Sequence, residues 1–220
     1  MTDSTKFFVQ NQGHRFCVAP MADWDAKYAG RSTGLFGAEA NEYLRQIVAR
    51  SEFAASSALC LADGDGRNGR WLAARGLDVT AVDISEIAAA NAAAFDRQAG
   101  LAVERVVADL ANWAPPDGRV WDAVFLFYLQ CDAPTRLRAL KLASQALARN
   151  GWFVLEAFAK SQADNNMGPA DPSLLYSLDE FGEALPEFEI VEALDGQVRL
   201  DEGPRHTGLA QVVRYAARKV

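Results

Sequence analysis

Three glycines, Gly64-x-Gly66-x-x-Gly69, join a short apolar run, Leu59-Cys60-Leu61-Ala62, to a helix-like stretch opening with Arg67-Asn68. A second apolar run, Val79-Thr80-Ala81-Val82, ends in Asp83. Strand, glycine turn, helix, strand and acid in that order make a nucleoside-binding fingerprint. In dinucleotide sites the diphosphate rests on bare N–H groups at the start of the helix. This turn also carries Asp63 and Asp65, whose charges repel a phosphate and attract a cation. Three readings compete: a tight turn without ligand, a nicotinamide or flavin dinucleotide site, and a site for a nucleoside bearing an onium centre. The two acids favour the third. S-adenosylmethionine, with its adenosine, sulfonium and α-ammonium, is the cofactor expected. Its contacts are placed on Asp63, Gly64, Asp65, Gly66 and Asn68, and on Asp83 and Ile84 at the end of the second strand, where Asp83 is expected to bridge the ribose hydroxyls.

A third apolar run ends in Asp109-Leu110. Asp109 suits the adenine amino group and the Leu110 N–H a ring nitrogen; the competing role for Asp109 is a loop or cap acid. The fourth run ends in Phe127-Tyr128-Leu129-Gln130-Cys131. By the switch-point rule, ligands lie beyond the carboxyl ends of parallel strands, so Gln130 and Tyr128 are expected near the reacting methyl. Gln130 would orient an acceptor or contact cofactor. Tyr128 would present its ring face to the sulfonium or pack in the core. Nothing marks Cys131 as an activated thiol. Of two histidines, His206 follows the polar loop Asp201-Glu202-Gly203-Pro204 and is a candidate general base at neutral pH, or a loop histidine with no chemical role. His14 is assigned nothing. Tyr215 and Lys219 have the spacing of an oxidoreductase pair, but in a terminal strand they merely share one face.

These residues are positioned by alternating strands and helices. Strands are expected over about 58–62, 78–83, 102–108, 121–127 and 152–158. The helices between them are placed at about 67–75, 86–98 and 134–149, Ser85 capping the second and Asn150-Gly151 closing the third. Strands this apolar imply a parallel sheet covered on both faces. After Phe158 a polar loop over 160–173, a helix over 178–185 and strands over 188–194 and 210–217 add an antiparallel edge. Residues 1–22 read as a loose arm. Residues 23–57 supply helical pieces and 58–220 the Rossmann-like core, giving one domain from residue 23. Trp24, Tyr28 and Phe36 are aromatics in the segment before the first strand, with plain hydrophobic anchoring one reading. Arg31 and Lys160 are placed near the mouth, where they would draw an anionic acceptor.

Half of the 220 residues are hydrophobic, enough for a sizeable core. A net charge of −7 argues against broad phosphate-driven nucleic-acid binding. The longest apolar run, Ala123 to Leu129, is far below the roughly 20 residues of a membrane span, and the first residues lack signal-peptide zones. Three scattered cysteines, Cys17, Cys60 and Cys131, support neither a disulfide framework nor a zinc site. A cytoplasmic setting is expected, with no nucleic-acid or membrane partner and no metal.

The motifs Trp24-Asp25-x-x-Tyr28, Phe36-Gly37-x-Glu39-x-Asn41, Gly66-Arg67-Asn68, Val79 to Asp83, Asp109-Leu110, Trp121-Asp122-Ala123-Val124, Asn150-Gly151-Trp152 and Glu202-Gly203-x-x-His206-x-Gly208 occur in this order. With them the chain resembles class I S-adenosylmethionine-dependent methyltransferases, in particular the small bacterial branch near tellurite-resistance and thiopurine methyltransferases. The resemblance implies a doubly wound, mostly parallel, seven-stranded sheet with an antiparallel last strand. It also implies methyl transfer from S-adenosylmethionine to a small-molecule acceptor, with a leaning to sulfur or metalloid, and an N-terminal segment, 23–57, that closes over the cofactor with Trp24, Tyr28 and Phe36 as candidate lid residues. A non-catalytic binder of S-adenosylmethionine or S-adenosylhomocysteine, or an NAD(P)-binding oxidoreductase, are the other readings. The chain departs from the family at Cys60 and Ala62, where an acid and a glycine are usual.

Overall fold

The computed structural model describes residues 23–31, 34–162, 167–203 and 205–220. The expected arm over 1–22, with His14 and Cys17, lies outside them. Seven strands form one sheet: β1 (Ser57–Leu61), β2 (Asp78–Asp83), β3 (Glu104–Val107), β4 (Trp121–Phe127), β5 (Leu147–Phe158), β6 (Phe188–Asp201) and β7 (Thr207–Lys219), in the spatial order β3-β2-β1-β4-β5-β7-β6. β7 pairs antiparallel with both β5 and β6, and the other pairings are parallel. The chain winds outward from β1 to β3, then returns to β4 on the other side of β1. A crevice opens at that reversal.

Period-two alternation in the strands divides the core between the two sheet faces. Leu59 and Leu61, Val124 and Leu126, and Phe153 and Leu155 pack into one cluster. Ala58 and Cys60, Ala123 and Phe125, and Trp152 and Val154 pack into the other. That is why these runs are apolar at nearly every position. The helices are α1 (Trp24–Tyr28), α2 (Glu42–Val48), α3 (Arg67–Ala73), α4 (Glu86–Gln98), α5 (Ala133–Ala146) and α6 (Asp179–Ala184). Side-chain caps fix several starts: Asn41 accepts from the Leu44 N–H at 2.9 Å, Ser85 from Ala88 at 3.0 Å and Asp132 from Thr135 at 2.9 Å.

Two boundaries differ from the sequence reading. Asn150-Gly151 does not close α5, which stops at Ala146. Leu147 already pairs with Trp121, and Asn150, at φ 64°, makes an irregular step inside β5 before Trp152 joins Ala123. Asn and Gly suit either device, because both enter the left-handed region easily. Similarly, β6 does not stop at Leu194 but runs through Asp195-Gly196 to Asp201. Its partner β7 supplies a continuous ladder, Gly196 facing Val212. Asp201, Glu202 and Gly203 therefore stand at the tip of a long hairpin. Loop 160–173 holds short 3₁₀ turns at Lys160–Gln162 and Pro172–Leu174. No helix among the described residues is long and apolar enough to cross a membrane.

Candidate functional site

The ends of β1, β2 and β4 open into a cleft, at the strand-order reversal where open α/β sheets bind their ligands. All sequence-predicted site residues but one line it: Trp24, Tyr28, Phe36, Asp63, Gly64, Asp65, Asn68, Asp83, Ile84, Asp109, Leu110, Tyr128, Gln130 and His206. Gly66 does not. It is the α3 N-cap at φ 83°, and a Cβ there would collide with the Arg105 guanidinium behind the loop. Its role is to let that guanidinium approach the backbone. Arg31 and Lys160 also stand away from the lining: Lys160 pairs with Glu180 at 3.1 Å, and Arg31 donates to the Lys27 carbonyl.

The aspartates of the turn have distinct partners. Asp63 is buried and pairs with Arg105 at 2.5 Å, while also accepting the Gly69 N–H at 3.2 Å. Arg105 in turn holds Asp96 at 2.9 Å. The Asp63 charge is thus largely neutralised inside the protein, a correction to its expected role facing a cation. Asp65 accepts the Leu35 N–H at 2.6 Å, tying the segment before α2 to the loop. Asp83 accepts from Gly64 N–H at 2.7 Å and Ser85 N–H at 2.9 Å. Burial raises the pKa of all three acids, and Asp63 and Asp65 raise Asp83 further. A cleft that crowds carboxylates in this way is tuned to receive positive charge.

Above the loop, the buried Tyr28 lies on Gly64, whose φ of 56° and close approach exclude a side chain. Asp25 of α1 accepts from Ser85 Oγ at 2.5 Å and the Ile87 N–H at 3.1 Å, docking α1 on the start of α4. On the β3 side, Asp109 accepts the Ala111 N–H at 2.8 Å and the Asn112 amide at 3.2 Å. It is therefore a loop-capping acid that also borders the cleft. Ile84, 39 % exposed, gives the cleft an apolar wall after β2.

The far end of the cleft rests on a buried polar cluster. Tyr128, at φ 53°, packs its ring on Phe158 and His206 with centroids 4.8 and 4.3 Å away, and donates to Glu156 at 2.8 Å. Glu156 also accepts from Asn41 at 2.7 Å and from Arg214. Arg67 donates to Glu202 at 2.9 Å. His206 is buried between Phe36, Tyr128 and Phe158. Cys131 lines the cleft as a protonated thiol, its pKa pushed up to about 12 by burial. Sequence reasoning assigned no role to Arg67, Glu156, Glu202 or Asn41, although three of the four lie in the quoted motifs. Buried ion pairs between distant segments leave no local spacing to read. Ala62, Phe127, Leu129 and Thr135 complete the lining.

Residues 58–151 match a protein family described as a methyltransferase domain. A sequence comparison with curated proteins finds no match. Among solved structures, TehB from Haemophilus influenzae is similar at TM-score 0.66 and 19 % identity over 82 % of this chain, which spans 62 % of that one, under two thirds of its length. An S-adenosylmethionine-dependent methyltransferase from Clostridium acetobutylicum aligns at TM-score 0.62 and 14 % identity, covering 81 % of this chain and 89 % of the other. Magnesium protoporphyrin IX methyltransferase from Synechocystis, solved with bound S-adenosylmethionine, aligns at TM-score 0.59 and 16 % identity over 81 % and 76 %. Residues 58–151 thus match a methyltransferase domain, and the strand order places the whole chain in the fold shared by these S-adenosylmethionine-dependent methyltransferases.

Proposed function

We propose that the protein transfers a methyl group from S-adenosylmethionine to a small-molecule acceptor, with sulfur the favoured attacking atom. The observation that carries the proposal is the charge of the cleft. Asp65, Asp83 and Asp109 line it beside the Arg105-paired Asp63, and the one arginine or lysine among its described lining, Arg67, is committed to Glu202. Such a lining receives a sulfonium and an ammonium, and disfavours both a diphosphate and a metalloid oxyanion.

In this reading Asp83 accepts the ribose hydroxyls with lone pairs left free by Gly64 and Ser85. Ile84 and Leu110 enclose the adenine, and the Asp109 carboxylate meets its amino group. Gly64, Asp65 and Asn68 flank the methionine end. Trp24, Tyr28 and Phe36, on residues 23–57, cover the cofactor and exclude water. Methyl transfer is an in-line displacement, so holding acceptor, methyl carbon and sulfur in line supplies much of the catalysis, about 7–11 kcal/mol in well-oriented models. Tyr128 and Gln130 shape the acceptor side. His206, between them and the hairpin tip, takes a proton from the acceptor when the nucleophile carries one.

The experiment is transfer of labelled methyl from S-adenosylmethionine to a panel of thiols, phenols, amines and tellurite. Labelled thioether product from at least one thiol supports the proposal. Turnover of tellurite alone contradicts the sulfur assignment. Binding of S-adenosylhomocysteine with no transfer to any acceptor favours a non-catalytic binder.

A further inference from the structure

Beneath the acceptor end of the cleft lie two acids and two arginines, Glu202 at the hairpin tip with Arg67, Glu156 and Arg214, and His206 and Tyr128 stand between them and the cleft. Glu202 Oε2 lies 3.7 Å from His206 Nδ1. That nitrogen is enclosed and has no hydrogen-bond partner among the described residues, Glu202 being the acceptor nearest to taking that place. Backbone bonds fix the spacing: the Glu202 N–H donates to the His206 carbonyl at 2.9 Å, and the His206 N–H to the Gly203 carbonyl at 3.0 Å. The Glu202 side chain is itself held, accepting from Arg67 at 2.9 Å, from Asn41 at 3.0 Å and from the Glu42 N–H at 2.9 Å. The turn is locked from outside as well, since a Cβ on Gly203, at φ 116°, would strike the Phe36 carbonyl.

We infer that Glu202 is a positioning residue for methyl transfer: it orients His206 and balances the imidazolium formed when His206 removes a proton from a neutral thiol or hydroxyl acceptor. This deepens the proposed function and rests on it. The groups facing His206 are Glu202 on its own hairpin, Arg67 from α3, Tyr128 from the end of β4, and, behind Tyr128, Glu156 of β5 with Arg214 of β7. Arg67 is paired with Glu202 and Arg214 with Glu156, so the nearest acid to the imidazole is the Glu202 carboxylate at 3.7 Å. Glu202 is ready to receive the new charge, because its carboxyl is held down to about 2, against the cost of burial, by His206 and Arg67. In the step itself, a lone pair of the acceptor X–H forms the X–CH₃ bond. The S–CH₃ bond breaks with its electron pair staying on sulfur to give S-adenosylhomocysteine, and the X–H proton passes to His206. No further reactant is needed.

Two measurements test this. The first is NMR titration of the imidazole of His206 in wild type, Glu202→Gln and Glu202→Asp, with S-adenosylhomocysteine affinity as the check on folding. His14 is the only other histidine, so assignment is direct. Removing the charge is expected to lower the His206 pKa by about 1–3 units. Glu202→Asp, which withdraws the charge by one methylene, gives a smaller fall and keeps the test open should the Gln variant fail to fold. A His206 titration unmoved in the folded variants overturns the inference and leaves Glu202 as a clamp. The second is the transfer rate to 2-phenylethanethiol, which must lose a proton, and to 4-nitrothiophenol, already a thiolate at neutral pH. Glu202→Gln is expected to slow the first about 100-fold and the second less than about threefold. Equal losses on both overturn the inference. If the wild type methylates neither thiol while the His206 shift is present, the sulfur-acceptor reading falls and the Glu202–His206 pairing stands.

Discussion

Replacing Asp83 by Ala removes the acid at the end of β2 and tests the cofactor geometry directly. The carboxylate already accepts two N–H bonds, from Gly64 at 2.7 Å and Ser85 at 2.9 Å. It retains lone-pair positions for the two hydroxyls of a ribose. Hydrogen bonds to a charged group contribute about 1.5–3 kcal/mol each, so two give about 3–6 kcal/mol. Against this, the variant relieves repulsion from Asp63 and Asp65, which raises the Asp83 pKa in the free protein. The lower end is therefore expected: a loss of about 3 kcal/mol, or roughly 10²-fold in affinity. Calorimetric titration with S-adenosylhomocysteine measures it. Asp83→Asn retains an acceptor for the Gly64 N–H and should lose less, about tenfold. Affinity within threefold of wild type in a folded Asp83→Ala protein would refute the ribose assignment.

Other consequences follow from the buried charges. Burial raises Asp65 and Asp83, so these carboxyls take up protons sooner than exposed aspartates as pH falls. A bound sulfonium favours their ionised form, hence cofactor binding releases protons and tightens as pH rises. The affinity of S-adenosylmethionine relative to uncharged-sulfur S-adenosylhomocysteine should drop as pH falls towards the raised titration range of these acids; a ratio constant with pH would contradict this. Arg105→Met strands Asp63 and Asp96, whose side chains are 2 % and 5 % exposed. Breaking a buried pair costs about 3–5 kcal/mol, which for a chain of this length lowers Tm by about 6–20 °C. A melting shift under about 2 °C would show that the pair does not support the loop. Gly64→Ala presses a methyl into Tyr28 at a left-handed φ and should reduce S-adenosylhomocysteine affinity at least about tenfold in a folded protein; unchanged binding would separate Tyr28 from the cofactor cover.

The sheet was legible because burial on both faces writes itself into the strands as unbroken apolar runs. β2, β4 and α4 fall where the sequence places them, since each is bounded by an acid, a serine cap or a polar turn. The errors arise where one residue pair serves two devices. Asn150-Gly151 suits a helix end as well as an irregular strand, and only the pairing of Leu147 with Trp121 decides between them. Asp195-Gly196 would end an isolated strand, yet β7 carries β6 past it. In the site, the residues of the cleft lining were readable from the glycine turn and from the acids at strand ends. Their partners were not. Arg105 lies 42 residues from Asp63 and Glu202 lies 135 from Arg67, so those pairs exist only once the sheet has formed. Gly66 shows the same limit: the fingerprint fixes that it is small, while only the fold reveals that it makes room for Arg105 and not for a ligand.

The central claim is electrostatic: this crevice prefers an onium nucleoside to a phosphorylated one. The most direct test is calorimetric titration of one protein sample with S-adenosylmethionine and with NADH and NADPH at the same pH and ionic strength. The account predicts one-site binding of S-adenosylmethionine and no measurable heat from either dinucleotide. Saturable binding of a dinucleotide that displaces S-adenosylmethionine and is the tighter of the two would contradict it.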